Sequence, residues 1–359
     1  MEITFCVEVF HTALSDINEF EERSKGMRKI RRRRRNYTNY IIIACICVFS
    51  VMGIGYGYLQ QSLDINMSLS RKNIVDIAGQ DVDVVTSGDG LYEDQYEDGR
   101  YIYRGSKPNN YIKFNNELWR IIAKESDGTY KIIKVESISV MPFDDTFYRA
   151  ASSNTYCDSL SEGCNVYGKV SGTYRLGNKS GTVTEDSYLA DYLNGDYYNS
   201  LTSIARNQIQ THSFNIGGIL NLAESRNDSI EKNLSSEKAY TWTGNIGLPN
   251  VTDYLRASTN PSCTSATDTY SPSTANKCTL NYIAEDMEDW TYYWTMNGYS
   301  YESYISSTGV WTIQNYSGAY LYYAVANDLG ASLQPTLFLK SNIQITGGEG
   351  TEANPYVIA

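Results

Sequence analysis

The chain has 359 residues, with 41 acidic against 30 basic side chains, a net charge of −11 and 13% aromatic residues. Its two histidines exclude His-rich zinc sites, and its length suffices for one large core or two smaller ones. Charge is unevenly placed: residues 1–26 carry −4, residues 27–59 carry +7, and residues 60–359 hold 21 bases and 35 acids, a balance that excludes a nucleic-acid partner.

Residues 1–26 hold six acids and two bases, unlike a leader. Met27, directly before the basic cluster, is the expected start, and a short amphipathic cytoplasmic tail is the alternative. Arg28, Lys29 and Arg31 to Arg35 form that cluster. From Tyr40 to Leu59 run 20 residues without a charge. As a helix this segment is roughly 30 Å long, enough to cross a bilayer core. Tyr37, Tyr40, Tyr56 and Tyr58 stand where interfacial aromatics stand, and Gly53, Gly55 and Gly57 are tolerated in lipid. The basic flank keeps residues 1–39 in the cytoplasm and places the rest outside. Because "GYGYLQQSLD" offers no small-residue cleavage site, 40–59 is expected to be an uncleaved signal anchor in contact with membrane lipid.

Residues 60–100 are polar, with "SGDGLYEDQYEDG" and a short candidate strand at "DVDVVT", and are expected to form a stalk. No EF-hand spacing occurs, so no metal ligand or cofactor is assigned, although this acidity permits weak calcium binding. The extracellular domain is expected over 101–359. Its first clear element is a hairpin: alternating strands at Glu117–Lys124 and Thr129–Glu136 flank "ESDGT". Cys157, Cys164, Cys263 and Cys278 lie in the oxidising part of the chain. Of their three pairings the local one, Cys157 with Cys164 and Cys263 with Cys278, is the most economical. Cys45 and Cys47 fall in the span, and Cys6 before it.

"TEDSYLADYLNGDYYNSL" places Tyr188, Leu189, Tyr192 and Leu193 at helical spacing, with a break expected at Asn194-Gly195. A second short helix is expected around Ser203 to Gln210. The last third alternates short strands with turns: "AYTWTGNIG", "YYWTMNG", "SYISSTG", "VWTIQNY", "AYLYYAV" and "PTLFLKSNIQI". Early hairpin, grouped helices and many late strands give an α+β class.

Between Tyr282 and Tyr323 lie ten tyrosines and three tryptophans. Rigid amphipathic rings suit ligand surfaces, and the candidate contacts are Trp290, Tyr292, Tyr293, Tyr299, Tyr301, Tyr320 and Tyr322. Core packing claims some of these rings, Trp294 and Trp311 among them. The adjacent run "AEDMEDW" carries Glu285, Asp286, Glu288 and Asp289. Paired acids across a cleft would perform glycosidase chemistry, but a run of adjacent acids reads as a solvated face, and no catalytic residue is assigned. His212 has no motif around it and reads as structural.

"KPNNYIKFNNELWRIIAKESDGTYKIIKVESI", "LADYLNGDYYNSL", "WTM" at Trp294 to Met296 and the closing "LQPTLFLKSNIQITGGEGTEANPYVI", together with the basic anchor, resemble a group of uncharacterised membrane-anchored surface proteins of low-GC Gram-positive bacteria. In that group the proline of the closing element usually follows an arginine; here it follows Gln334. The order of hairpin, helices and loop-rich sheet also resembles C-type-lectin-like domains, including those related to formylglycine-generating enzymes. That resemblance implies a scaffold displaying variable loops. It does not extend to the calcium ligands of lectins, since Gln334-Pro335-Thr336 lacks the acid and Ala326-Asn327-Asp328 precedes it.

The expected protein is a single-pass surface receptor or adhesin of a bacterial membrane, whose disulfide-stapled ectodomain binds a glycan or protein. An extracellular carbohydrate-active enzyme and a structural envelope subunit are the alternatives.

Overall fold

The computed structural model divides the chain into two units, Met1–Lys72 and Asn73–Ala359. The described residues are 73–145, 149, 154–157, 161–221, 228–269, 275–301, 305–316 and 318–359. The basic tail, the 40–59 span and Cys6, Cys45 and Cys47 lie outside them. No helix among the described residues is long and apolar enough to cross a membrane.

Strands β1 (Ile74–Ile77) and β2 (Gln80–Asp83) form a hairpin whose central residues, Ala78 and Gly79, both have positive φ, at 52° and 88°. Positive φ at both positions matches the right-handed twist of the flanking strands. β3 (Gly90–Glu93) and β4 (Tyr101–Arg104) follow. The expected stalk is therefore corrected: the compact unit begins at Asn73, not at 101, and buries Ile77 and Leu91.

β5 (Tyr111–Phe114) enters β6 (Glu117–Lys124) through Asn115 and Asn116, again both at positive φ, where asparagine is the best tolerated side-chain-bearing residue. β6 and β7 (Tyr130–Lys134) are the expected hairpin. Asp127 closes its turn by accepting bonds from the amide and hydroxyl of Thr129, and Gly128 supplies φ of 86°. β8 (Thr173–Leu176) and β9 (Lys179–Thr182) make a separate hairpin.

Helix α1 starts at the Ser187 cap and runs through α-turns at Tyr188–Tyr192, π-turns at Leu193–Tyr197 and a last turn at Tyr198–Ser200. The break expected at Asn194-Gly195 is thus a π-bulge. Asn194 uses its whole amide there, donating to the carbonyls of Ala190 and Ile246 and accepting from the amides of Asn245 and Ile246. These bonds make a wide helical turn the better satisfied state. α2 (Ser203–Gln208) is the second expected helix, capped by Thr202.

β10 (His212–Asn215), β11 (Ile219–Asn221), α3 (Ile230–Glu237), β12 (Thr241–Gly244), β13 (Ile246–Gly247) and α4 (Val251–Ala257) follow, then the short α5 (Tyr282–Glu285). The last strands are β14 (Thr291–Tyr301), β15 (Gly309–Asn315), β16 (Ala319–Val325), β17 (Thr336–Leu339), β18 (Ile345–Gly347) and β19 (Tyr356–Ile358). "SYISSTG" is not a strand over 305–308, because Ser306 and Thr308 satisfy the backbone locally: the Ser306 hydroxyl accepts from the Thr308 amide.

Two sheets carry the unit. The larger has nine strands, ordered β13-β17-β7-β6-β5-β19-β18, with β4 also pairing β6 and β3 pairing β4. The smaller is β11-β14-β15-β16. The class is α+β, with the helices short and spread between strands. The core is continuous and centres on Trp119, Trp294, Trp311, Phe143 and Phe214, all fully buried. His212 is structural: its ring stacks on Phe338 at 3.8 Å and meets Asp127 at 3.0 Å.

Both disulfides are the local ones, Cys157–Cys164 and Cys263–Cys278. The second spans 15 residues, and closing such a loop removes about 3 kcal/mol of unfolded-state freedom. Cys263→Ser/Cys278→Ser is therefore expected to lower stability by about that amount, measured by urea denaturation, and the shorter Cys157–Cys164 loop by less.

Acids of the presumed stalk supply a buried ion network. Asp94 contacts Arg100 and Arg256, each at 2.7 Å; Glu125 meets Arg100 at 2.8 Å; Glu97 meets Arg256 and Lys238; and Asp253 meets Lys131 at 2.6 Å. The network pins the 94–100 loop and α4 to strands β6 and β7. Burial alone would raise the Glu97 carboxyl, but Arg256 and Arg100 outweigh it and hold it at about 2. Burial pushes Glu237 up to about 7, against hydrogen bonds from the amide and hydroxyl of Thr252.

These two acids act oppositely with pH. The raised Glu237 binds more protons when folded, so it lowers stability as pH rises from about 4.5 to 7. The depressed Glu97 adds stability above its unfolded value and loses it as pH falls toward 2. Glu237→Gln removes the charge and keeps the bond from the Thr252 amide, while its Nε2 donates to the Thr252 hydroxyl instead of accepting from it. The variant is expected to match wild type near pH 4.5 and to exceed it by about 2–3 kcal/mol at pH 8, in denaturant melts across that range.

Candidate functional site

The register of the smaller sheet brings the expected rings into rows. Across β14, β15 and β16, Tyr292 lies opposite Gln314 and Gln314 opposite Tyr320; one row inward, Trp294, Thr312 and Tyr322 are aligned. Just past the ends of β15 and β14, Tyr316 and Trp290 follow Gln314 and Tyr292 at the edge of the sheet. Their rings stand 5.9 Å apart. The innermost row is sealed: Trp294 packs on Phe143 and donates to the carbonyl of Met141. The face opens outward as an aromatic shelf of Trp290, Tyr292 and Tyr316, with Tyr320 beside them at 5% exposure, whereas Tyr322, in the inner row, stacks on Tyr323 at 5.0 Å.

Trp290 is 73% exposed, the most exposed large aromatic side chain among the described residues. It also stands at φ of 62°, fixed by its amide bond to the carbonyl of Asn315 at 2.7 Å. A left-handed conformation costs a bulky residue about 1–2 kcal/mol. An exposed tryptophan held in strain buries little surface in return, which is the pattern of side chains retained for contact with something else.

The polar groups of the shelf bond to one another. Tyr292 donates to Asp328 at 2.6 Å, Tyr320 donates to Gln314, and Gln314 donates to Thr312. Burial, reinforced by the bond to Asp328, raises the Tyr292 phenol, so the ring stays neutral at physiological pH. Asp289, beside Trp290, accepts weakly from Asn315 at 3.4 Å. The sequence from Cys278 to Leu339 holds six carboxylates and no lysine, arginine or histidine. Lys277, on a turn packed against β16, has an interaction of its own.

The remaining expected contacts do not join the shelf. Tyr293 and Tyr299 are each only 2% exposed and face the core. Tyr299 stacks on Tyr323 at 4.3 Å, and Tyr301, 36% exposed, packs edge-on against both rings. Tyr316, Gln314 and Asp328 belong to the shelf although none is among the expected ligand contacts, Asp328 having entered only as a failed match to a lectin's calcium ligands.

The acidic run is divided. Asp286 is held bidentately by Arg120, with both contacts at 2.7 Å, and Arg120 stacks on Tyr111. Glu285, Glu288 and Asp289 are exposed. Among the described residues no group of three or more His, Cys, Asp or Glu is placed to hold a metal ion. A cavity of about 260 Å³ lies elsewhere, lined by Asp94, Tyr96, Arg104, Leu255, Arg256 and Thr264 among others. Asp94 is committed to Arg100 and Arg256 and Arg104 to the carbonyl of Ser258, while Glu93 of the same lining is exposed. The shelf, unlike this cavity, carries the most exposed large aromatic side chain among the described residues.

No family model, no curated protein and no solved structure matches this chain.

Proposed function

We propose that this chain is a single-pass bacterial surface protein, anchored by residues 40–59 with its N-terminus inside, whose ectodomain recognises a macromolecular ligand on the shelf around Trp290. The observation that carries the reading is the strained, exposed Trp290 at the head of aligned tyrosine rows. Aromatic rings of this kind supply contact area with little rotamer entropy to lose. A C-type-lectin-like scaffold belongs to the same reading, supported by the early β6–β7 hairpin, the short helices and the late β14–β16 sheet.

The enzyme alternative is weakened by Asp286, whose two oxygens are both occupied by Arg120. The test is binding of the full chain, in detergent micelles, to immobilised host glycans, mucins, Gram-positive wall polymers and surface proteins, with and without calcium. Saturable binding that Trp290→Ala reduces about tenfold or more is expected. Equal binding by wild type and variant across the panel would remove the shelf as the recognition site.

A further inference from the structure

Resting on that reading, the shelf's chemistry narrows the ligand. The groups that would read the geometry of sugar hydroxyls are engaged internally: the Gln314 amide with Thr312 and Tyr320, and the Tyr292 hydroxyl with Asp328. What the shelf still presents is ring faces and carboxylate oxygens. An ionised carboxylate has several lone-pair sites and only accepts, so Asp328 and the exposed Asp289 retain capacity for cationic donors. Ring faces carry the negative side of the aromatic quadrupole and attract the same groups. With Asp286 neutralised by Arg120, the exposed Glu288 and Asp289 and the shelf's Asp328 still leave the shelf acidic, so a polyanionic ligand meets repulsion there.

We propose that the shelf binds a basic protein segment, with a lysine or arginine side chain lying over Trp290 and Tyr316 and its cationic head served by Asp289 and Asp328. Arginine is the better fit, since a planar guanidinium both stacks on rings and pairs with carboxylates. An amine-bearing glycan shares the charge and can donate hydroxyls to the same carboxylates, but it has no planar guanidinium to stack on the rings, which favours the peptide.

The experiment titrates the full chain in micelles with four probes: a short oligo-arginine peptide, an oligo-glutamate peptide, an N-acetylglucosamine oligomer and its deacetylated, amine-bearing form. Oligo-arginine is expected to bind saturably and tightest. That binding should weaken about tenfold in Trp290→Ala and several-fold in Asp289→Asn, whose exposed site leaves folding intact. It should also weaken as ionic strength rises from about 0.05 to about 0.5 M. Oligo-glutamate and the acetylated oligomer are expected not to bind.

Trp290-dependent binding of the acetylated oligomer, without binding of oligo-arginine, would overturn the cationic assignment and leave the recognition reading standing. Tighter binding of the amine-bearing oligomer than of the peptide would overturn the choice of a protein partner. Oligo-arginine binding that depends on salt but not on Trp290 is attraction to an acidic surface and would overturn the proposal. If no probe, and nothing on the wider panel, depends on Trp290, both the inference and the reading beneath it fall.

Discussion

Asp253→Ala is expected to destabilise the folded domain by about 3–5 kcal/mol, the loss seen when one member of a buried charge group is removed. Asp253 is buried on α4 and is the carboxylate partner of Lys131, whose ammonium stands 2.6 Å away and is itself buried. It also faces Arg100 and Arg256 and accepts from the amide of Asn250 at the start of α4. Burial favours the neutral acid, but Lys131, Arg256 and Arg100 outweigh it and hold the carboxyl below its ordinary value. The stabilisation is therefore present above the unfolded carboxylate's range and is lost as pH falls through the lower folded value. Wild type and variant should converge in acid and differ most near neutrality, in urea melts at several pH values.

The loss arises mainly from stranding a buried cation, not from the intrinsic worth of the pair. Lys131→Met in the Asp253→Ala background removes the stranded charge and keeps an apolar stem beside Phe338. It should recover a large part of the stability. A double variant no more stable than the single one would show that the helix-start bond, or the two arginines, dominates.

The legibility of this fold divides by the range of the interaction involved. The β6–β7 hairpin was readable because its signal, alternation around Asp127-Gly128, is local, and the two disulfides because short loops favour near pairing. Strand β16 was legible residue for residue in "AYLYYAV". Strand β5 was passed over although Asn115-Asn116 is a turn signal in its own right. The 73–100 segment was misread because its acids look like a solvated surface until Arg256 and Lys238 are brought to them from distant parts of the chain. Likewise, composition located the aromatic region but could not sort it. Tyr292 and Tyr293 are neighbours in sequence and lie on opposite faces, and only the register with Gln314 and Ile313 decides which ring faces outward.

Trp290→Gly separates the two demands on that ring. Glycine relieves the left-handed strain of about 1–2 kcal/mol. Against this stand about 0.5–1 kcal/mol for its extra unfolded-state freedom and about 0.5–1.5 kcal/mol for the lost pairing with Tyr316. The variant should remain within about 1 kcal/mol of wild type, whereas Trp294→Ala, at a fully buried position, should lose about 3–5 kcal/mol. Trp290→Ala keeps the strained backbone and should be the less stable of the two Trp290 variants. Both should lose ligand binding to the same degree, because the ring and not the backbone makes the contact. A well-folded Trp290→Gly protein that no longer binds would establish that the strain is maintained for recognition. A Trp290→Gly protein destabilised by about 3 kcal/mol would instead make Trp290 a packing residue, and the exposed shelf would lose its reason for being read as a site.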